Sequence, residues 1–186
     1  MIKRAYIKTI EEALAFVQEH RLVSVLAPKG VELPALWDAV DLPEKQPGEK
    51  GWGAKVGAVW TWKNALPARW PDAVFYGKIK GGHAVLMTLA YLRDVHFPAA
   101  YQPLAQLKPL CRHLYEHIRQ EPYLTGPLRK IIMEERGVSK SQFETALKQL
   151  QISLNVVRSP DPDAEGDTWL TFKEVYSAIW EAHVGI

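Results

Sequence analysis

The chain of 186 residues is 47% hydrophobic and 24% charged, which is typical of a globular protein with one core or two small domains. Its apolar runs are too short to span a bilayer, its first residues lack the apolar core of a signal peptide, and a single cysteine excludes an internal disulfide and a multi-cysteine zinc site. The net charge of +2 does not by itself indicate a nucleic-acid partner. We therefore expect a cytoplasmic protein that does not enter the membrane.

The N-terminal segment predicts a helix, a strand and a second, short helix. Thr9-Ile-Glu-Glu12 is a capping box, and the helical spacing of the following apolar residues predicts a helix that ends near His20. The apolar run from Leu22 to Leu26 predicts a buried strand. Residues 33–40 predict a short helix with Pro34 in its first turn.

An aromatic segment dominates the next part of the chain. Residues 41–55 are rich in Pro, Gly, Glu and Lys and predict a loop, in which Trp52 either stacks on a base or ligand ring or folds back onto the core. In the segment from Trp60 to Ile79, the pairs Leu66-Pro67 and Trp70-Pro71 each disfavour a helix. This segment therefore predicts a strand, a tight connection and a second strand. Gly81-Gly82 predicts the turn of a hairpin.

Residues 98–186 have a helical pattern at first. We predict a helix over about 108–120, a second helix capped by Thr125 and closed by Gly137, and a third that begins with the capping box Ser139-Lys-Ser-Gln142. The lone Cys111 lies on the apolar stripe of the first of these helices, so we expect it in the core.

Two strands follow these helices. Residues 152–157 alternate between apolar and polar, and residues 168–172 follow a loop rich in Pro, Asp and Gly. Three helices with a short turn before the third, followed by a hairpin, are typical of a winged helix-turn-helix. We therefore predict an α+β protein with a small aromatic-rich α/β unit at 1–97 and a C-terminal winged helix-turn-helix domain at 98–186.

Basic and hydroxyl side chains mark two candidate nucleic-acid surfaces, because these residue types bind phosphates and base edges. One surface lies among the aromatic residues and the other on the outer face of the third C-terminal helix. The nucleic-acid-binding candidates are Lys55, Lys63, Arg69, Lys78, Lys80 and Trp52, and on the helix Lys140, Ser141, Thr145 and Lys148.

The loop between the last two strands is acidic and should be repelled by phosphates. Its acidic residues are Asp161, Asp163, Glu165 and Asp167. This charge favours a protein partner for the wing, or a mode of DNA docking in which the wing stays clear of the duplex.

Several short motifs resemble those of the bacterial proteins called AlkZ-related. They are Trp60-Thr-Trp-Lys-Asn-Ala-Leu-Pro-Ala, Phe75-Tyr-Gly-Lys-Ile, Leu33-Pro-Ala-Leu-Trp and the closing winged helix. The resemblance implies ancestry shared with the winged-helix DNA glycosylases of AlkZ/YcaQ type, which excise alkylated bases. Those enzymes carry a Gln-x-Gln or Gln-x-Asp pair near their start, whereas the match here, Gln149-Leu150-Gln151, ends the third C-terminal helix. The resemblance therefore transfers no catalytic residue.

One further motif suggests a metal. His113-Leu-Tyr-Glu116-His117 fits the H-x-x-E-H pattern of zinc enzymes, which needs a third ligand from elsewhere, with Glu174 or Glu181 as the candidates. Because the inner face of this helix is apolar, we expect two partly exposed histidines instead. We predict no metal, no cofactor and a non-enzymatic role with DNA as partner. Glycosylase-like catalysis and a winged helix used for protein contacts stay open as alternatives.

Overall fold

The chain combines helices with two three-stranded sheets in a computed structural model that describes residues 6–161 and 166–185. This mixture confirms the predicted α+β class. Two compact units are present: one comprises the residues up to Tyr76 together with His83–Leu92, and the other comprises Gly77–Gly82 together with the residues from Arg93 onward. Among the described residues, no helix is long and apolar enough to cross a membrane.

The first unit packs helices around one sheet. Its elements are α1 (Ile10–His20), β1 (Leu22–Ser24), α2 (Leu36–Ala39), α3 (Ala54–Arg69), β2 (Val74–Lys78, whose last two residues belong to the second unit), β3 (Ala84–Thr88) and α4 (Leu89–Tyr91). The strand order is β1-β3-β2, with β1 and β3 antiparallel.

Local signals set the start of α1 and the turn between β2 and β3. The backbone N–H of Glu12 donates to Oγ1 of Thr9, and its carboxylate accepts from the N–H of Thr9, which confirms the capping box. Gly81 and Gly82 have φ angles of 91° and 84°, which confirms the hairpin turn, since only glycine adopts such angles without strain. The prediction that Pro34 lies within the first turn of α2 was wrong, because the helix begins two residues later.

The aromatic segment is a helix where we predicted a strand. Residues 60–69 belong to α3, and the strand begins only at Val74. Pro67 lies near the C-terminal end of α3, so the hydrogen bond lost with its N–H and the clash of its ring with the preceding turn affect only the end of the helix. The side chains of Val59, Lys63 and Leu66, spaced four and three residues apart, are all buried. Burial of this stripe offsets the cost of the proline.

The second unit is built mainly of helices. Its elements are a π-helical turn (Leu92–His96, whose first residue belongs to the first unit), α5 (Phe97–Ala100), a 3-10 turn (Leu104–Gln106), α6 (Pro109–Gln120), β4 (Tyr123–Leu124), α7 (Thr125–Arg136), α8 (Lys140–Ile152), β5 (Val156–Arg158), β6 (Thr168–Thr171), α9 (Phe172–Val175) and α10 (Ser177–His183). The strand order is β4-β6-β5, and both pairs are antiparallel.

The core of the second unit lies between α6, α7 and α8. Cys111 is buried there as predicted, and its Sγ donates a weak hydrogen bond to the carbonyl of Ala146. The capping box at Ser139 begins α8, and Gly137, with φ of 61°, closes α7 in the left-handed conformation; both predictions are confirmed. The stripe of α8 that we expected in the core is buried: Phe143, Ala146, Leu147 and Leu150.

Two boundaries in this unit differ from the sequence predictions. Thr125 is the first residue of α7 and does not cap it; its Oγ1 instead accepts a hydrogen bond of 2.8 Å from Nε1 of Trp169. The predicted strand over 152–157 was wrong in its first half, since α8 continues to Ile152 and β5 begins at Val156. Leu154, with φ of 55°, and the buried amide of Asn155 form the turn between them.

Candidate nucleic-acid interface

The outer face of α8 carries the predicted polar candidates. Lys140, Ser141, Thr145 and Lys148 are all exposed, because they lie opposite the buried stripe of the same helix. Glu144 lies among them, 3.7 Å from Nζ of Lys140. This ion pair reduces the positive charge of the first turn, so the unneutralised charge of the face lies toward Lys148.

A groove of about 650 Å³ runs along this face of α8. One side is formed by Ser141, Gln142, Thr145 and Gln149 of α8, and the other by the segment that precedes and begins α6, which includes Gln102, Gln106 and Lys108. Such side chains offer amide, hydroxyl and ammonium groups, which are suited to bind base edges and phosphates. The sequence did not predict this groove, because no spacing rule relates residue 102 to residue 149.

The hairpin turn of the second unit places a second lysine near Lys148. A Cβ built on Gly82 would lie only 2.9 Å from Cδ of Lys148, so the stem of this lysine lies directly over the glycine. Partial burial of the Lys78 ammonium lowers its pKa, the positive charge of Lys148 lowers it further, and Asp167 acts in the opposite direction. Two ammonium groups from distant parts of the sequence are therefore close enough to repel each other.

Three other basic candidates are engaged within the first unit. Nζ of Lys55 lies 3.3 Å from Glu44 and above the ring of Trp37, and Arg69 lies 3.5 Å from Glu11. Lys63 is only 6% exposed. Lys80 is exposed and lies at the hairpin turn.

Lys63 is held by aromatic rings. Its ammonium lies 4.4 Å from the ring centroid of Trp60 and 5.1 Å from that of Tyr76, and it donates a 2.7 Å hydrogen bond to Asn64. These contacts are those of a structural cation. The helical spacing of Val59, Lys63 and Leu66 would have indicated its burial if the segment had been recognised as a helix.

Trp52 lies on the surface of the first unit. It is 60% exposed and meets Trp60, which is 44% exposed, edge to face at 6.0 Å between ring centroids. Trp52 therefore does not fold back onto the core, and its stacking on a base or ligand ring stays a prediction. An exposed aromatic pair of this kind offers a ring face on which a base can stack.

The residues weighed for catalysis do not converge. Gln151 is buried, and its amide donates to the carbonyl of Leu147, whereas Gln149 lies at the edge of the groove. Burial raises the pKa of the Cys111 thiol, which keeps it protonated.

The two histidines of α6 do have an acidic partner. Nε2 of His113 and Nε2 of His117 lie 2.8 and 2.9 Å from the same oxygen of Glu135 on α7. The third group is thus neither of the two glutamates expected from the sequence, Glu174 and Glu181.

The acidic loop is described only in part. Asp163 and Glu165 lie outside the described residues. Oδ1 of Asp167 accepts a 2.5 Å hydrogen bond from Arg158, and the backbone N–H of Asp161 donates to Ser159. The charge at the base of the loop is therefore partly compensated by Arg158.

Comparison with known proteins assigns the family. A family model described as AlkZ related matches residues 7–167. The chain belongs to the AlkZ-related family, as the motifs around Trp60 and Phe75 predicted, and this membership suggests a protein related to DNA repair. No curated protein and no solved structure matches the chain significantly.

Proposed function

We propose that this protein binds DNA without acting as an enzyme, and that residues 98–186 are a winged helix-turn-helix domain. The order of elements supports this proposal: α6, β4, α7, a turn of residues 137–139, α8, then β5 and β6 as the wing. In domains of this type the helix after the turn contacts DNA. That helix is α8, whose outer face carries the polar candidates. Family membership supplies the link to DNA repair.

The observation that carries the proposal is the stem of Lys148 lying over Gly82, in the hairpin turn that follows Lys78. The positive charge of Lys148 and the burial of Lys78 both disfavour the charged form of Lys78, and the negative charge of Asp167 offsets this cost only in part. A phosphate placed between the two ammonium groups would relieve the repulsion, and each contact would release counterions from the duplex. We call Lys78, Lys148 and Lys80, which lies at the same hairpin turn, the hairpin–helix lysines.

The groove beside α8 is proposed to receive the nucleic acid next to these lysines. Ser141 and Thr145 offer hydroxyl groups and Gln149 an amide along one wall, and Lys108 provides a cation at the opposite wall. On the first unit, Trp52 is proposed to stack on an exposed base, by itself or together with Trp60.

A salt titration of DNA binding tests the proposal. Affinity for a fluorescent duplex is measured by anisotropy at several salt concentrations for the wild type and for a Lys78→Gln/Lys148→Gln double variant. If each lysine contacts one phosphate, the slope of log K against log salt becomes shallower by about 1.8, since each contact contributes roughly 0.9. Lys29→Gln, an exposed lysine in a loop of the first unit, is the matched control and should retain the wild-type slope. An unchanged slope in the double variant would remove the DNA contact from this surface.

The same preparations separate a binder from an enzyme. Alkylated duplex is incubated with the wild type and with Gln149→Ala, and released free base is measured by chromatography. We expect no release above the rate without protein. Release by the wild type would replace the non-enzymatic proposal with a glycosylase-like one, whatever the variant does.

Removal of the negative charge of the wing tests whether the wing lies against DNA. Replacement of its four acids, Asp161, Asp163, Glu165 and Asp167, by Asn or Gln removes charge from the loop. If the wing stays clear of DNA, affinity for the duplex changes little. A large gain that shrinks as salt is added would show that the wing lies against the phosphates, because added salt screens the repulsion.

A further inference from the structure

We propose that His113, His117 and Glu135 bind a zinc ion that links α6 to α7. The two histidines are four residues apart on α6, so their rings lie one above the other on the same helix face. Both Nε2 atoms point at one carboxylate oxygen of Glu135, near the end of α7. One ligand atom from each residue lies within 4.8 Å of the others, as a shared ion requires.

The two nitrogen–oxygen separations fit a tetrahedral ion after a small expansion. Zinc holds nitrogen and oxygen ligands at about 2.0–2.2 Å, so ligand atoms at tetrahedral angles lie roughly 3.3–3.5 Å apart. The separations of 2.8 and 2.9 Å between each Nε2 atom and the Glu135 oxygen need to lengthen by only about half an ångström for an ion to take the place of the two hydrogen bonds. Rotation of the Glu135 side chain, which is 44% exposed, provides that movement.

The chemistry of the three groups selects the class of ion. Two imidazoles and one carboxylate are a donor set typical of zinc, whereas calcium and magnesium prefer oxygen ligands alone. The side chains of His113 and His117 are about one-fifth exposed. A fourth coordination position therefore faces solvent, where water or a ligand oxygen can bind.

Arg136 competes with the ion. Its guanidinium donates to Nδ1 of His113 at 2.8 Å, which requires a lone pair on Nδ1 and leaves the ring proton on Nε2. Coordination through Nε2 needs the opposite tautomer, with the proton on Nδ1. Zinc binding therefore displaces Arg136 from His113, and removal of this arginine should strengthen binding.

The experiment uses the full chain without a polyhistidine tag, after removal of metal with a chelator. Isothermal titration with zinc should show one site per chain. His117→Ala and Glu135→Gln should weaken zinc binding by more than about 100-fold. Even mutation of a residue that only hydrogen-bonds to a zinc ligand lowers metal affinity roughly 10- to 100-fold. Arg136→Ala should bind more tightly than the wild type. Glu134→Gln removes the neighbouring acid of α7 and is the matched control, which should bind as the wild type does.

A spectroscopic readout reports the site itself. Cobalt(II), which occupies tetrahedral zinc sites, should give an intense visible absorption in the wild type and in Glu134→Gln, and a weak one in His117→Ala. Circular dichroism of each metal-free variant checks its folding, and the cobalt spectrum of Glu135→Gln provides a second variant if His117→Ala does not fold. Absence of zinc binding by the wild type, or binding that survives in both His117→Ala and Glu135→Gln, would overturn the proposal.

Discussion

Replacing Lys63 by methionine tests whether this lysine stabilises the first unit or contacts DNA. The substitution keeps an unbranched side chain of similar length and removes the ammonium. The structure places that ammonium over the rings of Trp60 and Tyr76 and in a hydrogen bond to Asn64. Burial of Lys63 to 6% exposure means that these contacts are made away from most of the solvent.

The expected loss of stability follows from these contacts. Each cation–π contact is worth about 0.5–2 kcal/mol, and a hydrogen bond to a charged group about 1.5–3 kcal/mol. The variant also recovers the cost of burying the ammonium, which offsets part of the loss. We expect a net decrease of about 2 kcal/mol in the free energy of unfolding. For a chain of this length that decrease lowers the melting temperature by roughly 4–8 °C.

Urea denaturation followed by tryptophan fluorescence measures the effect of Lys63→Met, with Lys80→Met as the control for loss of an exposed lysine. The control should unfold at the wild-type midpoint. The salt slope of DNA binding should be the same for Lys63→Met and the wild type, since a buried ammonium releases no counterions. An unchanged midpoint together with a shallower salt slope would refute the structural role of Lys63.

Three further perturbations have expected outcomes. Backbone N–H groups before α1 donate to the carboxylate of Glu12 and lower its pKa from 4.5. The contribution of Glu12 to stability is therefore present above pH 4.5 and is lost as the pH falls through the lowered pKa. The denaturation midpoints of Glu12→Gln and the wild type should converge in acid. Gly82→Ala should cost about 1 kcal/mol or more and weaken DNA binding, because it combines a φ of 84° with a Cβ 2.9 Å from Lys148. Asn155→Ala should lower the free energy of unfolding by about 2 kcal/mol, because it removes a buried amide that donates to the segment before α6.

Each of these outcomes has a comparison that can contradict it. A difference between Glu12→Gln and the wild type that persists unchanged below the lowered pKa would show that the carboxylate charge is unimportant. Gly30 has a similar φ of 80°, and a Cβ at this position would have no atom within 4 Å, so Gly30→Ala measures backbone strain alone. Equal DNA binding by Gly30→Ala and Gly82→Ala would show that the contact with Lys148 does not affect DNA binding. Ser153→Ala removes one partner of Asn155 and should cost less than Asn155→Ala.

The sequence determined the features that depend on residues within one or two turns. The capping boxes at Thr9 and Ser139, the glycine turn before β3 and the left-handed Gly137 formed as predicted. In each case the donor and acceptor, or the required φ angle, lie within four residues of each other. The helical stripe of α8 was predictable for the same reason, because its period is a property of consecutive residues.

Tertiary packing decided the state of the aromatic segment. Trp60 and Trp62 alternate as a strand would, and Pro67 argues against a helix, yet burial of Leu66, Val59 and the stem of Lys63 favours α3. Because Lys63 is a polar residue type, the apolar periodicity of this helix is not evident from the sequence. The free energy that stabilises the helix comes from contacts with residues far away in the sequence, such as Tyr76.

The candidate sites also depended on tertiary structure. Lys148 and the His113 pair could be named from the sequence as single groups, but their partners could not. Lys78 reaches the neighbourhood of Lys148 through the hairpin turn, and Glu135 reaches the histidines because α6 and α7 both pack against α8. Each site joins residues separated by some 20 to 70 positions, and no local rule relates side chains at such separations. The fold therefore determines which groups meet, and the sequence supplies their chemistry.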